Sequence, residues 1–220
     1  MAKTNHSNSL EYKFNKLSHV FIAIVAVYMT FTTLKLGFTG TALHAFLCTI
    51  GYNVLMLEGG MTFYPHNLLT KSLSKTNKVR VHLVLQVLGG VCGMAGAGVK
   101  FLDKETHFDS LHGKLGLAAN LFSAWALANG LASMYAHKIK HLTPFKIKTI
   151  HNAVGLTAIL LGLQAVVTGM QRGFYQKHID DRLTGIMTLV VIATFGMAVI
   201  VPVKALYSRV RTLFKTRKQT

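Results

Sequence analysis

Acidic residues are scarce in this sequence. Its 220 residues include seven aspartates and glutamates against 24 lysines and arginines, and charged residues make up only 14% of the chain. By contrast, 51% of the residues are hydrophobic, and the mean hydropathy is +0.40. A soluble domain needs a larger polar surface than this composition provides. The sequence therefore predicts a membrane protein.

Cysteine is also scarce, and its two copies, Cys48 and Cys92, both lie inside apolar runs. Two thiols buried among apolar residues do not predict a disulfide framework. The sequence also lacks a P-loop, a dinucleotide fingerprint and a nucleophile elbow, which argues against nucleotide-driven or hydrolytic activity. Only three prolines are present, and Pro202 lies in an apolar run, where it predicts a kink.

Long apolar runs are what the sequence has in abundance. Each run is long enough to cross a hydrocarbon core of about 30 Å as a helix of roughly 20 residues. The six predicted spans are 17–37, 41–63, 79–101, 112–135, 147–171 and 183–207. Their continuous apolar character favours helices over strands, and short connections make neighbouring spans antiparallel. We predict an all-α membrane protein with a six-transmembrane-helix bundle.

The predicted organisation is a cytoplasmic amino-terminal tail (1–16), a transmembrane domain (17–207) and a basic cytoplasmic carboxyl tail (208–220). The first apolar run is longer than a signal-peptide core and lacks a clear cleavage site, so we expect it to remain as a span. Seventeen of the 24 basic residues lie in the amino-terminal tail, in or directly beside the second and fourth loops, and from Lys204 to the carboxyl end. The positive-inside rule therefore places both termini in the cytoplasm. This charge also suits anionic lipid and does not imply nucleic acid as a partner.

Four of the eleven histidines occupy matched positions near the starts of successive predicted spans. His44 opens the second span, His82 the third, His112 the fourth and His151 the fifth. Because consecutive spans are antiparallel, His44 and His112 are predicted near the outer face, and His82 and His151 near the cytoplasmic face. The four histidines thus form two pairs, each drawn from two different helices.

A single histidine near a helix end is most simply an interfacial side chain, but four matched histidines favour a function, because ionisable groups within spans are costly. Two imidazoles facing each other at one depth meet the requirement of a haem iron with two axial ligands. Such a haem has no open coordination position, so it suits electron transfer rather than oxygen activation. The glycine-rich stretch GGVCGMAGAG in the third span would let helices, or a flat ligand, lie close to the backbone.

Three motifs carry a resemblance to a known family. They are HLVLQ (82–86), SLHGKLGL (110–117) and IHNAVGL (150–156), set in a six-span pattern. Together they resemble the cytochrome b561 family of transmembrane ascorbate-dependent reductases, over roughly residues 15–208. The stretch from residue 55 to residue 90 is especially similar to one branch of that family.

The resemblance implies that His44 pairs with His112 and His82 with His151 as axial ligands of two b-type haems. The predicted topology gives the same pairing independently. The resemblance also implies ascorbate as a cytoplasmic electron donor, and monodehydroascorbate or a ferric chelate as an acceptor on the lumenal or outer side. Endoplasmic reticulum or cytoplasmic vesicle membranes and a homodimer are further expectations from the family.

Family members bind the anionic ascorbate with basic residues beside the cytoplasmic haem. Four basic residues precede the cytoplasmic histidines here, where they would contact ascorbate or the haem propionates, or only flank the membrane: Lys78, Arg80, Lys146 and Lys148. His107, in the loop before the fourth span, is a candidate for contact with the outer acceptor, as an outer-face histidine serves some members.

A histidine-based transporter of a divalent metal ion is the alternative hypothesis. Transport paths usually place ligands near the midplane and add carboxylates, whereas these histidines lie near the ends of spans with no acid at mid-span. Glu58, late in the second span, is either an interfacial carboxylate or a group that carries a proton or holds a basic residue. Trp125 is expected to be a packing residue rather than an electron stepping stone. Three polar residues are expected to form interhelical hydrogen bonds: Asn120, Asn129 and Gln164.

Overall fold

A computed structural model describes residues 2–138 and 143–217 of the chain. Within these ranges the secondary structure is entirely helical, without strands. The elements are α1 (Ala2–Leu36), α2 (Gly40–Thr49), a π-helix (Ile50–Met56), α3 (Leu57–Met61), α4 (Lys75–Asp103), α5 (Leu111–Met134), a 3₁₀ turn (Ala136–Lys138), α6 (Pro144–Met170), α7 (Gly173–His178), α8 (Asp181–Ala198) and α9 (Ile200–Arg217). The last three residues of the predicted carboxyl tail lie outside the described residues.

Six helical segments are long and apolar enough to cross a membrane, as predicted. They are Leu10–Leu36, Gly40–Met61, Lys75–Asp103, Leu111–Met134, Pro144–Met170 and Asp181–Lys215. The second combines α2, the π-helix and α3, and the sixth combines α8 with most of α9. The prediction of an all-α membrane protein with six spans is confirmed.

Side-chain caps set the starts of four helices. Ser74, Ser110 and Thr143 each accept a hydrogen bond from the backbone N–H three residues later, at the starts of α4, α5 and α6. Asp180 caps α8 in the same manner. These oxygens satisfy N–H groups that have no partner within the helix, so each cap fixes where a span begins.

Glycines let the second span and α4 approach closely. A Cβ at Gly51 would fall 2.7 Å from the carbonyl oxygen of Gly89 and 2.9 Å from the backbone nitrogen of Gly93. At Gly96 a Cβ would fall 2.7 Å from Sγ of Cys48. Small residues at such contacts allow backbones to meet inside a membrane, so the glycine-rich stretch of the third span serves helix packing.

The sixth span breaks where Pro202 predicts a kink. α8 ends at Ala198 and α9 begins at Ile200. Pro202 has no N–H to donate to the carbonyl of Ala198, four residues earlier. Instead, the Tyr64 hydroxyl lies 2.9 Å from that oxygen and 2.6 Å from the carbonyl oxygen of Met197. A side chain from the segment after α3 thereby stabilises the break.

Polar residues within the spans differ from the sequence-based expectation. Asn120 and Asn129 donate to Gly116 and Trp125 in their own helix, α5, rather than to another helix. Short amide side chains reach the carbonyl four residues earlier without any neighbouring helix.

Trp125, which we expected to be a packing residue, lies against Phe122 and is 51% exposed on the surface of the bundle. Exposed apolar side chains are numerous along all the spans. In a membrane protein this surface faces lipid, so exposure of Trp125 carries no penalty there.

Candidate functional site

The structure brings the four histidines of the predicted spans together as two pairs. His44 of α2 and His112 of α5 have ring centroids 5.8 Å apart, with ring planes at 85°. His82 of α4 and His151 of α6 have centroids 6.0 Å apart, with planes at 89°. Each pair joins two spans that are not consecutive in the chain, near one end of the bundle.

All four rings use the same nitrogen for a hydrogen bond to a helix carbonyl. Nδ1 lies 2.8 to 3.2 Å from the backbone oxygen of a residue on another helix. The histidine and carbonyl partners are His44 with Gly96, His82 with Gly59, His112 with Ala165, and His151 with Ala126.

A carbonyl oxygen can only accept, so Nδ1 carries the proton in each ring. In a neutral ring Nε2 is then unprotonated, and its lone pair is available to a metal ion. A metal-ligating histidine typically donates its other ring N–H in this way. The four residues thus have the tautomer that an axial haem ligand requires.

Glycines also fit against two of the rings. A Cβ at Gly169 would fall 2.9 Å from Cε1 of His112, and a Cβ at Gly130 would fall 3.2 Å from Cε1 of His151. Sequence reasoning missed both glycines. The sequence shows that both glycines lie in predicted spans. It cannot show that they lie opposite the histidines, because the register between two helices is not visible in one sequence.

A large cavity lies beside the pair formed by His44 and His112. Its volume is about 1020 Å³, at the upper end of the range for sites that hold small ligands and cofactors. Gly98 and Gly116 line it, and a Cβ on either would meet no atom within 4 Å. The cavity can therefore admit a flat macrocycle close to the backbone of α4 and α5, which fits a haem held by this pair.

Basic and aromatic side chains line the cavity near the loop between α4 and α5. His107 stacks on Phe101 with ring centroids 4.1 Å apart and planes at 15°. Lys100, Lys104 and Arg172 line the same cavity. His107, predicted as an acceptor contact, thus shares one cavity with His44 and His112.

The four basic residues proposed for the donor lie at the other end of the bundle. Lys78 and Arg80 precede His82 in the first turns of α4, and Lys146 and Lys148 precede His151 in the first turns of α6. Lys78 is half-buried and the other three are exposed. Both groups therefore stand at the end of the bundle that holds His82 and His151.

Tyr52 of the π-helix fills the space between the two histidine pairs. Along its span it lies eight residues after His44 and seven before Gly59, the hydrogen-bond partner of His82. Its ring occupies slots at Gly93 and Gly162, where a Cβ would fall 2.8 and 2.2 Å from ring atoms. Its hydroxyl lies 3.2 Å from Oγ of Ser123. Sequence reasoning did not identify this residue.

Comparison with known proteins agrees with these features. Residues 43–176, which contain all four histidines, match the family model described as eukaryotic cytochrome b561. The chain is similar to transmembrane reductase CYB561D2 of Bos taurus and of Homo sapiens. Each is 31% identical over 154 residues, which cover 67% of this chain and 69% of the relative.

A more distant relative is probable transmembrane reductase CYB561D1 of Mus musculus, 22% identical over 169 residues and 74% of each chain. The branch that residues 55–90 resemble is cytochrome b561 domain-containing protein 2, and the relatives from Bos taurus and Homo sapiens carry the corresponding name. The expected family resemblance is thereby confirmed.

Proposed function

This chain belongs to the eukaryotic cytochrome b561 family, and we propose that it transfers single electrons from cytoplasmic ascorbate to an acceptor across the membrane. The acceptor is monodehydroascorbate or a ferric chelate. The family and the relatives support a transmembrane cytochrome reductase, an oxidoreductase of a haem-binding family. The donor, the acceptor and the ligands of two haems are our proposals.

The observation that carries the proposal is the matched geometry of the histidine pairs. In each pair the ring centroids lie 5.8 or 6.0 Å apart with nearly perpendicular planes. Each Nδ1 is hydrogen-bonded to a carbonyl oxygen, which leaves Nε2 as the nitrogen that can ligate. We assign one haem b to His44 and His112 and a second to His82 and His151. A haem with two imidazole ligands supplies one-electron transfer without an open position for substrate.

The distribution of basic residues supports the proposed location of the ascorbate site. The positive-inside count supports a cytoplasmic location for both termini and for the ends of α4 and α6 that carry His82 and His151. There Lys78, Arg80, Lys146 and Lys148 offer cations to the ascorbate anion or to haem propionates. Arginine can bind an oxyanion through two N–H groups, whereas each lysine acts as a single point charge.

The acceptor side is the large cavity at the other end. Monodehydroascorbate and most ferric chelates are anions, and three basic residues, Lys100, Lys104 and Arg172, line the cavity against one acidic residue, Asp109. Lys100 also pairs with Asp103, so Lys104 and Arg172 are the main cations offered to an anionic acceptor. His107, held against Phe101, provides a ring nitrogen for a hydrogen bond to the acceptor. We propose an endoplasmic reticulum or vesicle membrane as the location, on the basis of the family resemblance.

An absorption spectrum of the purified protein in detergent tests this function directly. With ascorbate alone, we expect sharp reduced bands of a low-spin b-type cytochrome and two haems per chain. A chemical reductant such as dithionite gives the fully reduced reference spectrum. A folded, colourless protein that was expressed with ample haem and binds zinc would instead support the metal-transport hypothesis.

A further inference from the structure

Glu58 and His19 form a close pair near one end of the bundle. The carboxylate Oε1 of Glu58, in α3, lies 2.7 Å from Nδ1 of His19, in α1. Their side chains are 16% and 9% exposed. A carboxylate this well covered within a span is costly, and such groups are usually functional.

Asn67 settles which ring nitrogen of His19 carries the proton. Its Oδ1 accepts from the backbone N–H groups of Leu69 and Thr70, at 2.8 and 2.9 Å, so its amide orientation is fixed. Nδ2 of Asn67 therefore faces Nε2 of His19, 3.4 Å away, as a donor. Nε2 must accept, so Nδ1 is the protonated nitrogen and donates to Glu58. In this neutral tautomer the pair keeps the single negative charge of the carboxylate.

The segment that carries Glu58 also holds the ring of His82. The carbonyl oxygen of Gly59, the next residue, lies 2.8 Å from Nδ1 of His82. Gln86, one turn further along α4, donates to the carbonyl of Met56 at 3.0 Å. A Cβ at Gly59 would fall 2.7 Å from Nε2 of Gln86, so α3 packs in close contact with α4. This packing fixes the negative charge of Glu58 close to one histidine pair and on the opposite end of the bundle from the other.

We propose that Glu58 lowers the reduction potential of the haem bound by His82 and His151, and leaves the other haem unaffected. Reduction adds one electron to the iron, and no bond forms or breaks at Glu58. A nearby fixed anion favours the ferric form, which carries one more positive charge. The carboxylate thus counteracts the basic residues at this end, which favour the ferrous form. This inference rests on the proposed haem ligands but not on the identity of the donor.

Spectroelectrochemical titration of the purified holoprotein tests the proposal. In Glu58→Gln the carboxylate becomes a neutral amide of the same shape. We expect the reduction equilibrium of one haem to shift by roughly tenfold toward the ferrous form, which corresponds to about 59 mV for one electron. The other potential should stay at its wild-type value, and His112→Ala, which keeps the His82 and His151 pair, assigns the two. Glu58→Met, a second neutral variant, should give the same shift if Glu58→Gln does not accumulate.

Two variants serve as controls. Glu58→Asp keeps the charge and should retain a potential close to that of the wild type. Glu11→Gln makes the same chemical change on α1, where the carboxylate pairs with Lys204 of α9, and should move neither potential. Equal shifts of both haems, no shift in either neutral variant, or the same shift in Glu11→Gln would overturn the proposal. Absence of a haem at His82 and His151 would instead defeat the proposed function, and the haem content per chain distinguishes that result.

Discussion

Gly169 of α6 lies so close to His112 of α5 that a Cβ at position 169 would fall 2.9 Å from Cε1 and 3.2 Å from Nδ1 of the ring. The ring cannot move freely away, because Nδ1 is bound to the carbonyl oxygen of Ala165. The absence of a side chain at 169 is therefore a condition for the position of His112.

This contact predicts that Gly169→Ala displaces the His112 ring and removes one of two haems per chain. Haem content and the reduced absorption spectrum of the purified variant measure the effect. Gly185→Ala in α8 is the matched control, because a Cβ there meets no atom within 4 Å. A Gly169→Ala protein with wild-type haem content and spectrum would show that the ring tolerates the methyl group.

Alanine substitutions of the histidines should separate the two ends of the bundle. His82→Ala or His151→Ala should remove one haem and block reduction by ascorbate, because the remaining pair lies at the end away from the donor. His44→Ala or His112→Ala should leave one haem that ascorbate still reduces. Haem content and ascorbate-reduced spectra of the four variants decide this, and two haems per chain in all four would refute the ligand assignment.

The sequence was sufficient to predict the features that depend on long apolar runs. Hydropathy alone located all six spans, and the missing N–H of Pro202 predicted the break in the sixth. The matched spacing of the histidines predicted which two would share each end, because antiparallel spans allow only one pairing by depth.

Features that depend on the register between helices were not predictable from the sequence. Nothing in one chain shows that Gly162 would lie against the ring of Tyr52, or that His19 would meet Glu58, since those residues belong to different helices. Glu58 had two sequence-based interpretations, and the structure shows it bound to a histidine. The sequence did not show that Trp125 would lie on the surface of the bundle, because an apolar surface toward lipid and an apolar core have the same composition.

The close contact between Gly162 and the ring of Tyr52 predicts that a side chain at position 162 destabilises the protein. A Cβ at Gly162 would fall 2.2 Å from Cδ1 of Tyr52, so Gly162→Ala should lower the free energy of unfolding by about 1–3 kcal/mol through overpacking. Unfolding in detergent, followed by circular dichroism, measures this. In the double variant of Gly162→Ala and Tyr52→Leu, the loss of unfolding free energy should be smaller than the sum of the losses in the two single variants, because the smaller side chain relieves the overlap.

Gly196→Ala in α8 provides the comparison, since a Cβ there has open space. That change should stabilise the helix by roughly 0.5–1 kcal/mol. If Gly162→Ala were as stable as Gly196→Ala, the ring of Tyr52 would have to occupy another position.

The hydroxyl of Tyr64 makes the break in the sixth span dependent on pH. Burial raises the pKa of Tyr64 from 10.0 to about 12. At neutral pH the hydroxyl therefore remains protonated, and its one hydrogen is shared between the carbonyl oxygens of Met197 and Ala198. Tyr64→Phe leaves those carbonyls without this donor and should lower the free energy of unfolding by about 1–3 kcal/mol.

A folded-state pKa above the unfolded value gives stability that is present below about pH 10 and is lost as the pH rises toward about 12. The difference in unfolding free energy between the wild type and Tyr64→Phe should therefore be constant up to about pH 10 and shrink above it. Unfolding curves of both proteins from pH 7 to pH 12 measure that difference, and subtraction cancels the titration of the other tyrosines. A difference that stays constant to pH 12 would mean that the hydroxyl does not act as the donor at the break, and that packing of the ring alone stabilises it.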